Sequence, residues 1–125
     1  LSIRRNDQED HILRLIRQAA EALRRLRERL THSATSPDAV RHEAAAAADA
    51  LLGPEAPLLR RLDPRSAARL LGHPGQVRMW AELLEAQGDA ARAALDLEAA
   101  GALGARAKAL REAVAELWPD DDPVG

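Results

Sequence analysis

The 125-residue sequence contains no cysteine, no phenylalanine and no tyrosine, and only one lysine, Lys108. The lack of cysteine removes disulfides, thiol nucleophiles and thiolate metal sites together. Trp80 and Trp118 are the whole aromatic complement, so recognition of single-stranded nucleic acid by base stacking has little to build on. No apolar run approaches the roughly 20 residues that cross a bilayer. The opening Leu1-Ser2-Ile3-Arg4-Arg5 lacks the apolar stretch of a secretory signal, and a cytoplasmic setting is expected. No segment alternates β-branched with polar residues, so no sheet is expected either.

What the chain does contain is 28 alanines and 20 leucines. These are the best helix formers and add no polar atoms. Alanine buries little area, however, so the large apolar groups are Leu, three Ile, four Val, Met79 and the two Trp. That set supports one small bundle, and its modest size favours further burial against a second copy. Net charge is −2, which gives no global field to select nucleic acid or membrane.

The first helix is the clearest element. Asn6 or Asp7 is expected to cap it, with Asp7, Glu9 and Asp10 near its positive end. Ile12, Ile16, Ala19, Leu23, Leu26 and Leu30 then recur at spacings of 4, 3, 4, 3 and 4, the pattern of a heptad seam. Leu13, Leu15, Ala20 and Ala22 widen this stripe, so the helix needs at least two neighbours. Thr35 with Asp38 suggests a capping box for a second helix, with Pro37 in its first turn and Gly53-Pro54 at its end. Alanines 44–48 allow a close neighbour there. Asp63-Pro64 starts a short helix that Leu71-Gly72 stops, and a longer one is expected from near Gln76. A last helix carries Ala100, Leu103, Ala107, Leu110, Val114 and Leu117 on one side and ends at Trp118-Pro119. Gly101 and Gly104, three apart within it, suggest a tight helix contact, since each glycine costs about 1 kcal/mol of helix propensity.

Two resemblances follow from these residues. Gly88, Ala100 and Ala107, with Leu84 four residues before the glycine, resemble the small and large positions of a tetratricopeptide repeat. Ala91 and Gly104 stand where that motif carries aromatics, and no second copy is visible, so the resemblance implies a TPR-like hairpin rather than a peptide-binding array. Asp10-His11-Ile12-Leu13-Arg14-Leu15-Ile16 resembles the Asp-Tyr-Ile-x-Arg-x-Ile opening of a family of small bacterial helical proteins without an assigned activity. Leu62-Asp63 to Leu71-Gly72 and Trp80 to Leu84 fit the same outline, which implies an all-helical protein with a leucine-rich middle.

The residue types used in catalysis are scattered. His42-Glu43 resembles half of a zinc helix, but alanines follow where the second histidine would stand. Asp7 and His11 share a helical face, which reads as a solvated first turn. Glu9-Asp10, Glu112 with Glu116, and Asp120 to Asp122 read as solvated carboxylates rather than an acid/base pair in a pocket. Ser2, Ser33, Ser36 and Ser66 lie at termini or caps, without a nucleophile elbow. No catalytic, cofactor or metal residue is assigned.

The expected fold is therefore an all-α bundle of five or six helices in a single domain, 1–118. An N-terminal antiparallel hairpin (7–52) packs on a proline-punctuated middle and TPR-like hairpin (54–118), followed by an acidic tail (119–125). The expected role is non-enzymatic: an accessory or scaffold protein acting by helix-mediated association. Its partner is a second copy, a dimer first, or another protein, met through Ile12, Ile16, Leu23, Leu26 and Leu30. The alternative is a nucleic-acid or anionic-ligand binder using Arg14, Arg17, Arg24, Arg25 and Arg27. The acidic total and single lysine weigh against nucleic acid, and arginine stems also serve as apolar cover.

Overall fold

The computed structural model describes residues 2–32 and 35–121, with side chains from Asp7 onward, and is all-helical. Its α-helices are α1 (Ser2–Leu30), α2 (Pro37–Leu52), α3 (Ala56–Arg61), α4 (Pro64–Leu71), α5 (Pro74–Ala93) and α6 (Leu97–Leu117), with a 3₁₀ turn at Gly53–Glu55. No strand occurs among the described residues.

Helix α5 is the hub. It packs on α1 and α2 along one side and on α6 along the other, while α4 closes against α6. This central place explains why α5 buries ten residues, among them Val77, Trp80, Leu83 and Leu84, although many of the others are alanine. Helices α1 and α2 form a hairpin whose far end gathers Leu26, Val40 and Ala44 around Ala90 of α5. The larger cluster centres on Leu51, Leu59, Val77, Trp80, Leu83 and Leu110. Small residues set the spacing: a methyl added to Gly88 would meet the Ala100 carbonyl oxygen at 3.5 Å and the Leu103 Cβ at 3.6 Å. Ala100 and Ala107 are buried in the same α5–α6 contact.

Several element ends differ from the sequence reading. Helix α1 begins at Ser2 rather than after Asn6 or Asp7, because nothing between Ile3 and Asn6 breaks a helix. Asp7, Glu9 and Asp10 consequently sit beyond the first turn, where the dipole has faded. Ser36, not Thr35, caps α2 and accepts from the Ala39 amide. Helix α5 starts two residues earlier than expected, with Pro74 in its first turn and the His73 ring accepting from the Gln76 amide at 3.3 Å. A ring nitrogen substitutes there for the usual capping oxygen. Gly88 leaves α5 unbroken.

The α5–α6 turn has an unusual residue at its apex. Leu95 takes φ +66° and is 83% exposed. The Leu95 amide donates to Arg92 O and the Asp96 amide to Ala91 O, the two bonds of a Schellman ending that ordinarily employs glycine.

Asp63 caps α4 as expected, accepting from the Ser66 amide at 3.0 Å. Hydrogen bonds from the Ser66 side chain and then its backbone hold the Asp63 carboxyl below the usual carboxylate range. A carboxyl with a lowered native pKa stabilises the fold above its unfolded pKa and stops doing so as pH falls through the native value. Asp63→Ala should therefore lower the melting temperature at neutral pH, and the gap from wild type should close on acidification. Ser66→Ala should cost less, because its amide stays. A gap that persists unchanged in acid would show that the carboxylate is not the cap.

Gly101 and Gly104 overturn an expectation. Both are exposed, and a methyl added at either meets nothing within 4 Å. The Gly104 amide nitrogen comes within 3.9 Å of a methyl built on Gly88, but the space where either glycine's own methyl would stand is open, so no contact that needs glycine offsets their helix cost. Gly101→Ala and Gly104→Ala should each stabilise by about 0.5–1 kcal/mol, read as a higher thermal midpoint. A fall in midpoint would place a neighbour on that face.

Candidate interaction surfaces

The expected seam of α1 divides in the structure. Leu26 is 2% exposed and Leu23 7%, both within the chain's own core, while Ile12, Ile16 and Leu30 are half-buried. Leu26 is thus unavailable to a partner, and Leu23 offers only an edge. The reason is α5: α1 packs on it as well as on α2, so the inward stripe is covered within one chain.

Another stripe of α1 faces out. Leu13 is 43% exposed, Ala20 is exposed, and Ile16 and Leu23 form its inner margin. A shallow hollow of about 480 Å³ follows it, lined by Ala20, Leu23, Arg24, Arg27, Glu28 and Thr31. With 29 residues against 16 in α2, α1 is about 20 Å longer than its hairpin partner at 1.5 Å per residue.

The candidate arginines of α1 all lie on its exposed side, broadly spread rather than in a narrow stripe. At about 100° per residue, Arg14, Arg17, Arg24, Arg25 and Arg27 spread over about 160° of the helix circumference, with Glu21 and Glu28 among them. Arg24 lies 3.9 Å from Glu28. Arg29 pairs with Glu43 of α2, which holds that carboxyl below its ordinary range, with Arg25 adding a smaller attraction. Such exposed pairs contribute little to stability, but they interrupt a continuous cationic surface.

A second surface escaped the sequence reading. Between α2 and α6, with α5 as floor, lies a cleft of about 310 Å³ walled by Ala45, Ala48, Leu52, Trp80, Leu84 and Leu103. At one end Arg106 lies over the Trp80 ring, 5.1 Å from its centre. Its Nη2 donates to Leu59 O at 2.9 Å and Leu62 O at 3.0 Å, two carbonyls at the α3 end that lack helical partners. Burial pushes the Arg106 pKa down. Across from it, Arg60 is paired with Asp49. A comparable role belongs to Gln76, which is 5% exposed and donates from Nε2 to Leu51 O at 2.9 Å. The signal available in sequence was slight: a lone Trp in an alanine-rich helix, and one Arg among small residues of another.

The histidines have local tasks or none. His73 caps α5, and His42 Nδ1 lies 3.0 Å from Asp38 O within its own helix. Among the described residues, no three of His, Asp and Glu gather around a common point, and no buried side-chain nitrogen or oxygen lacks a hydrogen-bond partner. The start of the acidic tail is tied down, since Arg78 reaches the Asp121 carboxylate at 2.8 Å; Asp122 lies outside the described residues. No described helix is long and apolar enough to cross a membrane. Compared with family models, curated proteins and solved structures, the chain finds no match in any of the three.

Proposed function

We propose that this protein is a non-enzymatic accessory or scaffold module that works by helix-mediated association, through α1 and with a copy of itself first. The observation that carries this reading is the outward stripe of α1, in which Leu13 and Ala20 are exposed beside the edges of Ile16 and Leu23, on a helix whose inward stripe is already covered. Leu13 and Ala20 continue the edges of Ile16 and Leu23 into one apolar strip, and a contiguous strip rather than a single exposed leucine is what marks an association surface. The α5–α6 hairpin, TPR-like in its small residues, serves as the rigid back of the module, and a cytoplasmic setting suits it.

Sedimentation or light scattering across a wide concentration range tests the proposal. Wild type should show a concentration-dependent dimer. Leu13→Glu with Ala20→Glu should abolish it while leaving the thermal midpoint nearly unchanged, since both positions are exposed. A wild type that stays monomeric at high concentration would overturn the reading. Retention of RNA through purification, with affinity falling steeply in salt, would favour an anionic ligand on the α1 arginines instead.

A further inference from the structure

The outward stripe of α1 is longer than its apolar part. Extending the spacing in both directions gives Glu9, Leu13, Ile16, Ala20, Leu23 and Arg27, separated by 4, 3, 4, 3 and 4 residues. This is a second heptad seam, sharing Ile16 and Leu23 with the inward one and closed by opposite charges at its two ends. Glu9 and Arg27 are both exposed, and neither makes an ion pair among the described residues.

We infer that a second copy of this chain docks here with its α1 antiparallel, placing Glu9 against Arg27, Leu13 against Leu23 and Ile16 against Ala20 of the other copy. This deepens the self-association reading and rests on it.

Charge decides the direction. In a parallel pair Glu9 would face Glu9 and Arg27 would face Arg27, and like charges at close range are unfavourable. The antiparallel pair turns both repulsions into attractions, and the twofold axis supplies each contact twice. Size points the same way. Parallel pairing would set Ala20 on Ala20 and leave a gap, whereas antiparallel pairing sets the largest mid-seam group on the smallest. On the solvent flank, Asp10 falls near Arg24 of the other copy. Among the described residues Arg24 makes one ion pair, the exposed 3.9 Å contact to Glu28, so little is lost in re-pairing. Near the axis Arg17 approaches its own counterpart, with Glu21 one turn further along each helix to take part of that charge. The seam is short and Leu23 is mostly covered already, so affinity falls in the micromolar class of small interfaces.

The cysteine-free sequence makes the register directly readable. Glu9→Cys and Arg27→Cys place single thiols at exposed positions, and the two positions lie about 27 Å apart along one helix. With a short thiol-reactive cross-linker, neither variant alone should form a covalent dimer, but an equimolar mixture should. Cross-linking of each variant with itself, with a lower yield in the mixture than in either variant alone, would overturn the antiparallel register while leaving self-association intact. Absence of any cross-link from a protein that still dimerises would place the interface elsewhere. A monomer throughout would overturn this inference and the reading beneath it together. As an independent measurement, Glu9→Arg and Arg27→Glu should each weaken the dimer about tenfold or more, and the double exchange should restore it. Singles that leave the dissociation constant unchanged would remove the charge argument.

Discussion

Replacing Leu26 with Glu should leave no cooperatively folded protein, and adding Leu23→Glu should only deepen the loss. Leu26 is 2% exposed among Val40, Ala44 and Ala90. Removing a buried leucine costs about 2–5 kcal/mol. The carboxylate then sits among the alkyl groups of Val40, Ala44 and Ala90, so it either loses its hydration or takes up a proton, and each course costs several kcal/mol more. A domain holding 5–15 kcal/mol in total has little left after that. Circular dichroism should show lost helicity or aggregation without a sharp thermal transition. Leu13→Glu, one turn from the half-buried Ile16 but 43% exposed, should melt close to wild type. If Leu26→Glu also melts close to wild type, the covered seam is not where the structure puts it.

That contrast also shows how far the sequence could be read. Periodicity identified α1 as apolar over more than one stripe, because heptad spacing is visible in the order of residues. Which stripe remains outside was not visible, since that depends on α5 reaching across to α1 from more than forty residues away. The same gap explains Gly101 and Gly104. Two glycines in a helix imply either a close neighbour or an unopposed cost, and only the direction of the α6 face separates the two.

Local chemistry fared better where one residue type dominates a turn. Asp63-Pro64 and Gly72 bound α4 as their backbone preferences require. His73 is not legible as a cap because imidazole seldom takes that place; the break at Leu95-Asp96 is legible, but not the positive φ of Leu95, which contradicts a leucine's steric preference. Arg106 and Gln76 were missed for another reason. Each satisfies carbonyls on a distant helix, and no local pattern marks such a partner.

Trp80→Ala should be the costliest truncation in the core. Trp80 is 1% exposed, forms the floor of the α2–α6 cleft and supports the Arg106 guanidinium above it. Losing so large a buried ring costs about 3–5 kcal/mol, the cavity included. The alanine-rich walls offer few long side chains to collapse into that space, so the upper part of the range applies. Arg106 also loses its stack, worth about 0.5–2 kcal/mol depending on how far water is excluded. Because the guanidinium is only partly buried, the lower part of that second range is expected. Its bonds to Leu59 O and Leu62 O tie α6 to the end of α3, so loosening Arg106 frees that end as well. Arg106→Met, which keeps the stem and removes the charge, separates the two contributions. In chemical denaturation followed by circular dichroism, the Trp80→Ala and Arg106→Met losses should not add, and the double variant should lose less than their sum by about 1 kcal/mol. Strict additivity would mean that the ring and the guanidinium merely lie close, and that Arg106 serves α3 alone.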